Sequence, residues 1–132
     1  MIVVDASAVT LLFCDPRVEP RADRARALLS ADPAWLVPEH WRTEVCSALR
    51  GLDLAGKLRD PTRSLRLLAE LTVATMATSE LLPRIWQLRH TLSAYDAGYV
   101  AAAEHAGLTL VTADARLARA RVGECPITVI QP

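Results

Sequence analysis

The chain has 132 residues, of which 52% are apolar, and its 15 basic side chains balance its 15 acidic ones. That length fits a single domain spanning residues 1–132, and the apolar content is enough for a real core, which excludes a disordered chain. No run of about 18 uncharged apolar residues is present, and Asp5 breaks the N-terminus before a signal-peptide core could form, so a cytoplasmic protein with no membrane partner is expected.

The first element is Met1-Ile-Val-Val-Asp5, a short apolar run ending in an acid. It reads as a buried parallel strand that delivers Asp5 to its carboxyl edge, where open α/β sheets hold their ligands. Ala6 to Phe13 reads as a short helix stopped by Asp15-Pro16, so Asp5 also qualifies as its N-cap. Pro20 to Ser30 carries Ala22, Ala25, Leu28 and Leu29 at helical spacing, with Arg21, Arg24 and Arg26 interleaved as a solvated face. Trp35 to Val37 is long enough for a small strand, and Pro38 is placed to open the next helix at its first turn.

From Glu39 to about Leu54, Trp41, Val45, Ala48, Leu49 and Leu52 recur along one helical stripe. Glu44 lies beside that stripe and leans toward buried territory; an ion pair with Arg42 or Arg50 is the alternative. Asp60-Pro61 supplies an N-cap and first turn for a leucine-rich helix through Leu71, whose face of Leu65, Leu67, Leu68 and Leu71 suits either core or a subunit contact. Thr72 to Ala77 is a third, weak strand. Ser79, Glu80 and Pro83 open a helix through Arg89. Ser93 and Asp96 then form a capping box for a helix ending at Gly107, and the Asp96 carboxylate sits in a first turn, pointing out of the helix end. Leu108 to Thr112 is a strand that ends by delivering Asp114, itself an N-cap for a short helix bearing Arg116, Arg119 and Arg121. Pro126 to Ile130 is the last strand.

Cys14, Cys46 and Cys125 lack a CxxC pair and are expected as buried thiols, not as a disulfide framework or zinc site. His40, His90 and His105 lack metal-ligand spacing and are expected at surface or hydrogen-bonded positions. Zero net charge argues against a nucleic-acid partner, but sequestering four acids in one site would leave 11 acids against 15 bases, 14 of them arginine. Arginine binds phosphate in a bidentate way that lysine cannot.

Alternating strands and helices imply a parallel sheet covered on both faces. Its crevice then collects Asp5, Glu44, Asp96 and Asp114. Like charges that close require a cation, and an all-oxygen set without a catalytic Cys or His suits Mg²⁺ or Mn²⁺. Cations held there would neutralise a phosphodiester and lower the pKa of a bound water.

Four motifs carry a resemblance that spans nearly the whole chain: Ile2-Val-Val-Asp5-Ala-Ser-Ala8; Pro38 through Glu44-Val45 with Leu49; Ser93-Ala-Tyr-Asp96-Ala97; and Leu110-Val-Thr-Ala-Asp114-Ala-Arg-Leu117. In this order they resemble the PIN-domain ribonucleases, and closely the VapC toxins of bacterial toxin–antitoxin pairs. The resemblance implies a flavodoxin-like three-layer α/β/α sandwich around a central parallel sheet. It implies metal ligation by Asp5, Asp96 and Asp114 with Glu44 in support, Mg²⁺ as cofactor with Mn²⁺ substituting, and an assisting role for Thr112 and similarly for Ser7. It further implies an endoribonuclease that leaves 5′-phosphate and 3′-hydroxyl ends and inhibits translation until a VapB-type antitoxin neutralises it. A homodimer and a toxin–antitoxin hetero-oligomer are implied as well, with an antitoxin basic side chain entering the crevice.

Two rivals fit less well. An aspartyl phosphatase needs a second Asp two residues after the first, where this chain has Ser7, and a phospho-receiver needs a lysine after its late strand, whereas the only lysine is Lys57. A non-catalytic scaffold binding RNA or antitoxin predicts binding without turnover.

Overall fold

The short apolar runs become five strands: β1 (Ile2–Val4), β2 (Trp35–Pro38), β3 (Ala74–Met76), β4 (Leu110–Thr112) and β5 (Ile127–Val129). The structure is a computed structural model that describes residues 1–132. The strands pair in the order β3-β2-β1-β4-β5, and every pairing is parallel. Every residue of β1, β2 and β4 is buried, whereas β3 and β5 at the edges are partly exposed. This matches the sequence text, because a strand covered on both faces needs a continuous apolar run and an edge strand does not.

Seven helices connect and cover the sheet: α1 (Ala6–Thr10, continued by one 3-10 turn, Leu11–Phe13), α2 (Arg21–Ala31), α3 (Trp41–Leu54), α4 (Pro61–Glu70), α5 (Thr78–Gln87), α6 (Ala94–Ala106) and α7 (Ala115–Arg119). The chain lays down β1, β2 and β3 in one direction, then returns across β1 to place β4 and β5 on its other side. Right-handed crossovers therefore put α1 to α4 on one face and α5 to α7 on the other, the expected three-layer sandwich. Contacts follow this division, with α3 packed on α1 and α4, and α6 packed on α5, β1, β2 and β4.

The reversal between β1 and β4 creates a crevice at their carboxyl ends. The register pairs Val3 with Leu110 and Val4 with Val111, so Asp5 emerges beside Thr112. Asp5 N donates to the Val111 carbonyl at 3.1 Å, holding that alignment one residue past the strand.

The core gathers 29 buried residues, including Trp41, Val45 and Leu49 of the α3 stripe and Tyr99 of α6. Each fully buried large side chain contributes roughly 1.5–3 kcal/mol of transfer free energy. α6 is buried almost all round from Ala97 to Ala103, and its small residues let it lie close on the sheet.

Several local expectations hold. Asp60 accepts from Arg63 N with Pro61 at the first helical position, and Gly107 ends α6 at φ 66°, a left-handed value that favours glycine. Others need correction. Pro38 closes β2 instead of opening a helix, because α3 begins only at Trp41. Pro83 sits inside α5, which starts at Thr78 and takes Ala77 as its N-cap. The leucine face of α4 is split: Leu68 is buried and Leu71 packs on the core, while Leu65 and Leu67 remain exposed. Cys46 is exposed on the outer side of α3 and Cys14 and Cys125 are half-buried, so the thiols are free but not buried. The α2 arginines are tied down where a solvated face was expected. Arg21 donates to the Ala113 carbonyl, Arg24 to that of Gln131, and Arg26 to those of Leu12 and Cys14.

Candidate active site

Asp5 is 4% exposed and caps α1 by accepting from Ala8 N at 2.9 Å. Its Oδ1 also accepts from Ser7 Oγ at 2.7 Å, and its Oδ2 accepts from Thr112 Oγ1. The two hydroxyls are oriented from behind, because Ala113 N donates to Ser7 Oγ and Asp114 N to Thr112 Oγ1, each at 2.9 Å. Each hydroxyl has one proton, and both are directed at Asp5, so the 3.2 Å approach of Ser7 Oγ to Thr112 Oγ1 is not a hydrogen bond in this state. Of the roughly four lone-pair positions of a carboxylate, three are filled, which leaves one open on Oδ2. Burial holds the Asp5 carboxyl above its usual range despite donation by Thr112, Ser7 and Ala8, and the Asp96 charge adds to the rise.

Glu44 projects from the first turn of α3. Its Oε1 accepts from Tyr99 Oη of α6 at 2.9 Å, a bond between the two helical layers. Burial raises Glu44 as well, and the charges of Asp96 and Asp5 push in the same direction. Tyr99 is completely buried and, through burial and the Glu44 carboxylate, is held far above the usual phenol range. The alternative ion pair of Glu44 with Arg42 does not form, since Arg42 instead donates to the Leu68 and Leu71 carbonyls at the end of α4.

Beside this bond His40 wedges between α3 and α6, edge-on to Tyr99 at 5.1 Å and to Tyr95 at 5.3 Å between ring centroids. Gly98 makes room for it, because a Cβ there would lie 2.6 Å from His40 Cε1. His40 Nε2 is buried without a hydrogen-bond partner, contrary to the expected surface or satisfied position. Burial lowers its pKa and keeps the ring neutral.

Asp96 is the hub of the acidic charges. Ser93 Oγ caps α6 by accepting from Asp96 N at 3.2 Å, as the capping box requires, while burial and then the Asp114 charge raise the Asp96 carboxyl. Asp114 differs. It caps α7, and Arg116 grips both its oxygens, Nη2 to Oδ2 at 2.7 Å and Nε to Oδ1 at 3.0 Å, which lowers its pKa. Thus Asp5, Glu44 and Asp96 feel one another's charge, Asp96 also feels Asp114, and Asp114 is answered by an arginine.

No group of three or more carboxylate, imidazole or thiol side chains is gathered tightly enough to hold a metal ion, and the Asp114 carboxylate is turned to Arg116. The donor chemistry nonetheless fits a hard cation, being all oxygen, under mutual repulsion, with an open lone pair on Asp5. No site role was expected for Tyr99, His40, Gly98 or Arg116. The available signals were Tyr99 standing three residues after Asp96 on the same helical face and Gly98 interrupting an otherwise unbroken helix former.

No helix is long and apolar enough to cross a membrane. The profile of the PIN domain family matches residues 2–123. Ribonuclease VapC9 of Mycobacterium tuberculosis is 40% identical over 132 residues, covering 98% of this chain and 98% of that protein. The fold is shared with the crystal structure of Mycobacterium tuberculosis VapC20, a sarcin-ricin loop cleaving toxin, at TM-score 0.69 and 20% identity over 92% of this chain and 95% of that one. It is shared too with VapBC2 from Rickettsia felis, solved on a DNA fragment from their promoter, at TM-score 0.58 and 13% identity over 99% of this chain and 100% of that one. A parallel five-stranded sheet with acids at its switch point, a family profile over nearly the whole chain and a full-length relative at 40% identity agree, and the chain belongs to the PIN-domain family, among the VapC ribonucleases.

Proposed function

We propose that the protein is a metal-dependent endoribonuclease toxin that hydrolyses RNA phosphodiester bonds with water as nucleophile, leaving 5′-phosphate and 3′-hydroxyl ends, and that a VapB-type antitoxin neutralises it. The observation that carries the reading is the set of three carboxyls, Asp5, Glu44 and Asp96, all held above their usual range at one sheet edge. Such a set is unfavourable in an apo protein and favourable around a cation.

Asp5, Asp96 and Asp114 would hold Mg²⁺ or Mn²⁺, with Glu44 in support. The cation supplies charge neutralisation for the phosphodiester and acidification of a water molecule. The chain's own groups prepare the rest. Ser7 and Thr112 aim their protons at Asp5 and so fix its plane; Tyr99 does the same for Glu44 Oε1, leaving Oε2 to hold a proton. Arg116 must leave Asp114 for that carboxylate to serve as a ligand, and the pair is exposed enough for this to be inexpensive, with the arginine side chain 80% exposed. The same grip favours a second reading, a scaffold that binds RNA or antitoxin without turnover.

Incubating purified protein with total RNA, with Mg²⁺, with Mn²⁺ and with excess EDTA, and mapping the cut ends, separates the two. Cleavage that needs the cation and yields 5′-phosphate ends supports the enzyme; undiminished cleavage in EDTA overturns the metal-ion mechanism. We further propose a homodimer and a toxin–antitoxin hetero-oligomer. Light scattering that gives a monomer at high concentration, or a complex with full activity on RNA, speaks against each in turn.

A further inference from the structure

A cleft opens between the starts of α3 and α6. It encloses about 550 Å³ and is lined by His40, Thr43, Glu44, Ser47 and Tyr95. We propose that this cleft is a nucleobase subsite, in which the base of a nucleotide next to the scissile phosphate stacks on Tyr95. The inference rests on the ribonuclease reading.

Tyr95 is 59% exposed although it is a large aromatic residue. Its ring meets that of His40 at an interplanar angle of 77°, an edge contact that leaves a face of Tyr95 open. The other strongly exposed aromatic, Trp86, is covered by the Arg89 guanidinium 4.5 Å from its ring centroid. Tyr95 immediately precedes Asp96, and Glu44, which lines the cleft, accepts from Tyr99 one helical turn along α6, so the cleft adjoins the acidic residues. Charge selects the occupant. The lining has no lysine or arginine and its histidine is kept neutral by burial, so a phosphate finds no counter-charge there. A flat neutral ring does fit, with Thr43 and Ser47 exposed four residues apart on one helix face where their hydroxyls can meet base edges. Stacking of splayed-out bases on aromatic side chains is the usual way proteins read single-stranded RNA.

The test uses the full chain and short single-stranded RNAs in which each position around the cut is made abasic in turn. With Mn²⁺ present, one abasic position should raise the wild-type KM by about 5- to 100-fold. Tyr95→Ala should raise KM on intact RNA by a similar factor and erase the penalty at that one position, while Tyr95→Phe should behave as wild type. As a readout independent of cleavage, 2-aminopurine placed at successive positions should be quenched by the wild type at one of them and not by Tyr95→Ala. Penalties that simply multiply, an unchanged KM in Tyr95→Ala, or a wild-type dimer that Tyr95→Ala dissociates would each overturn the subsite. Normal cleavage without any Tyr95 dependence sinks the subsite alone, whereas Tyr95-dependent quenching without cleavage sinks the ribonuclease reading and keeps the subsite.

Discussion

Replacing Asp5 by Asn should make the metal-free protein more stable while abolishing cleavage. Asn caps a helix about as well as Asp, so the bond from Ala8 N survives. The polar network can also close again. The Asn amide group would donate to Thr112 Oγ1, the Thr112 proton would turn to Ser7 Oγ only 3.2 Å away, and Ser7 would continue to donate to the Asn oxygen. Only the second amide N–H, which points where Asp5 Oδ2 had its open lone pair, lacks a protein partner, and the charge is gone. The sign follows from the raised carboxyl: burial lifts the folded-state pKa of Asp5 above its unfolded value near 4, so ionised Asp5 destabilises the fold. That penalty is absent below about pH 4, grows as pH rises through the folded-state pKa and is complete above it. A folded-state pKa one unit above the unfolded one corresponds to about 1.4 kcal/mol. At pH 7 in EDTA the variant should therefore melt above the wild type, with each kcal/mol gained raising Tm by about 3–5 °C. Saturating Mg²⁺ or Mn²⁺ should reverse the ranking, since about 2.7 kcal/mol accrues to the wild type at a hundredfold excess over Kd and little to the variant. The assay is a set of melting curves from pH 3 to 8, with EDTA and with metal, beside RNA cleavage. An Asn variant that melts below wild type at pH 7 without metal, or a gap that persists undiminished at pH 3, would refute the reasoning.

Three further perturbations test the surrounding residues. Tyr99→Phe removes the donor to Glu44, so the Glu44 carboxyl should rise further and the acid limb of the pH–rate profile should move up; stability at pH 7 should fall by about 1 kcal/mol, a loss that disappears below about pH 4. Gly98→Ala drives a Cβ into His40 and should cost about 1–3 kcal/mol by chemical denaturation, with part of the loss recovered when His40→Ala is added. Arg116→Gln frees Asp114 from its guanidinium: stability should change by less than about 1 kcal/mol because the pair is solvent-screened, and Mn²⁺ titrated by its paramagnetic resonance signal should bind about two- to fivefold more tightly. An unchanged Mn²⁺ affinity would show that Arg116 does not compete for that carboxylate.

Much of this protein was legible in its sequence because it is encoded locally. A fully apolar run followed by an acid specifies a buried strand with a carboxylate at its end, which is how Asp5 and Asp114 could be placed before any pairing was known. Ser93-x-x-Asp96, Asp60-Pro61 and Gly107 each complete their cap within four residues, and each does so in the structure. Helical spacing likewise marked Trp41, Val45 and Leu49 as core. The same spacing could not tell which of the α4 leucines find a partner, nor that Cys46 faces outward, because periodicity defines a face and not the neighbour that covers it. The site lies at the far end of this distinction. Thr112 reaches Asp5 across 107 residues and Tyr99 reaches Glu44 across 55, and the second contact exists only because the return of the chain across β1 brings α6 against the start of α3. Which acids are held high and which one is held low was decided there as well. The direction of each pKa depends on burial and on a neighbour's charge, and both are properties of the packed layers that no single segment carries.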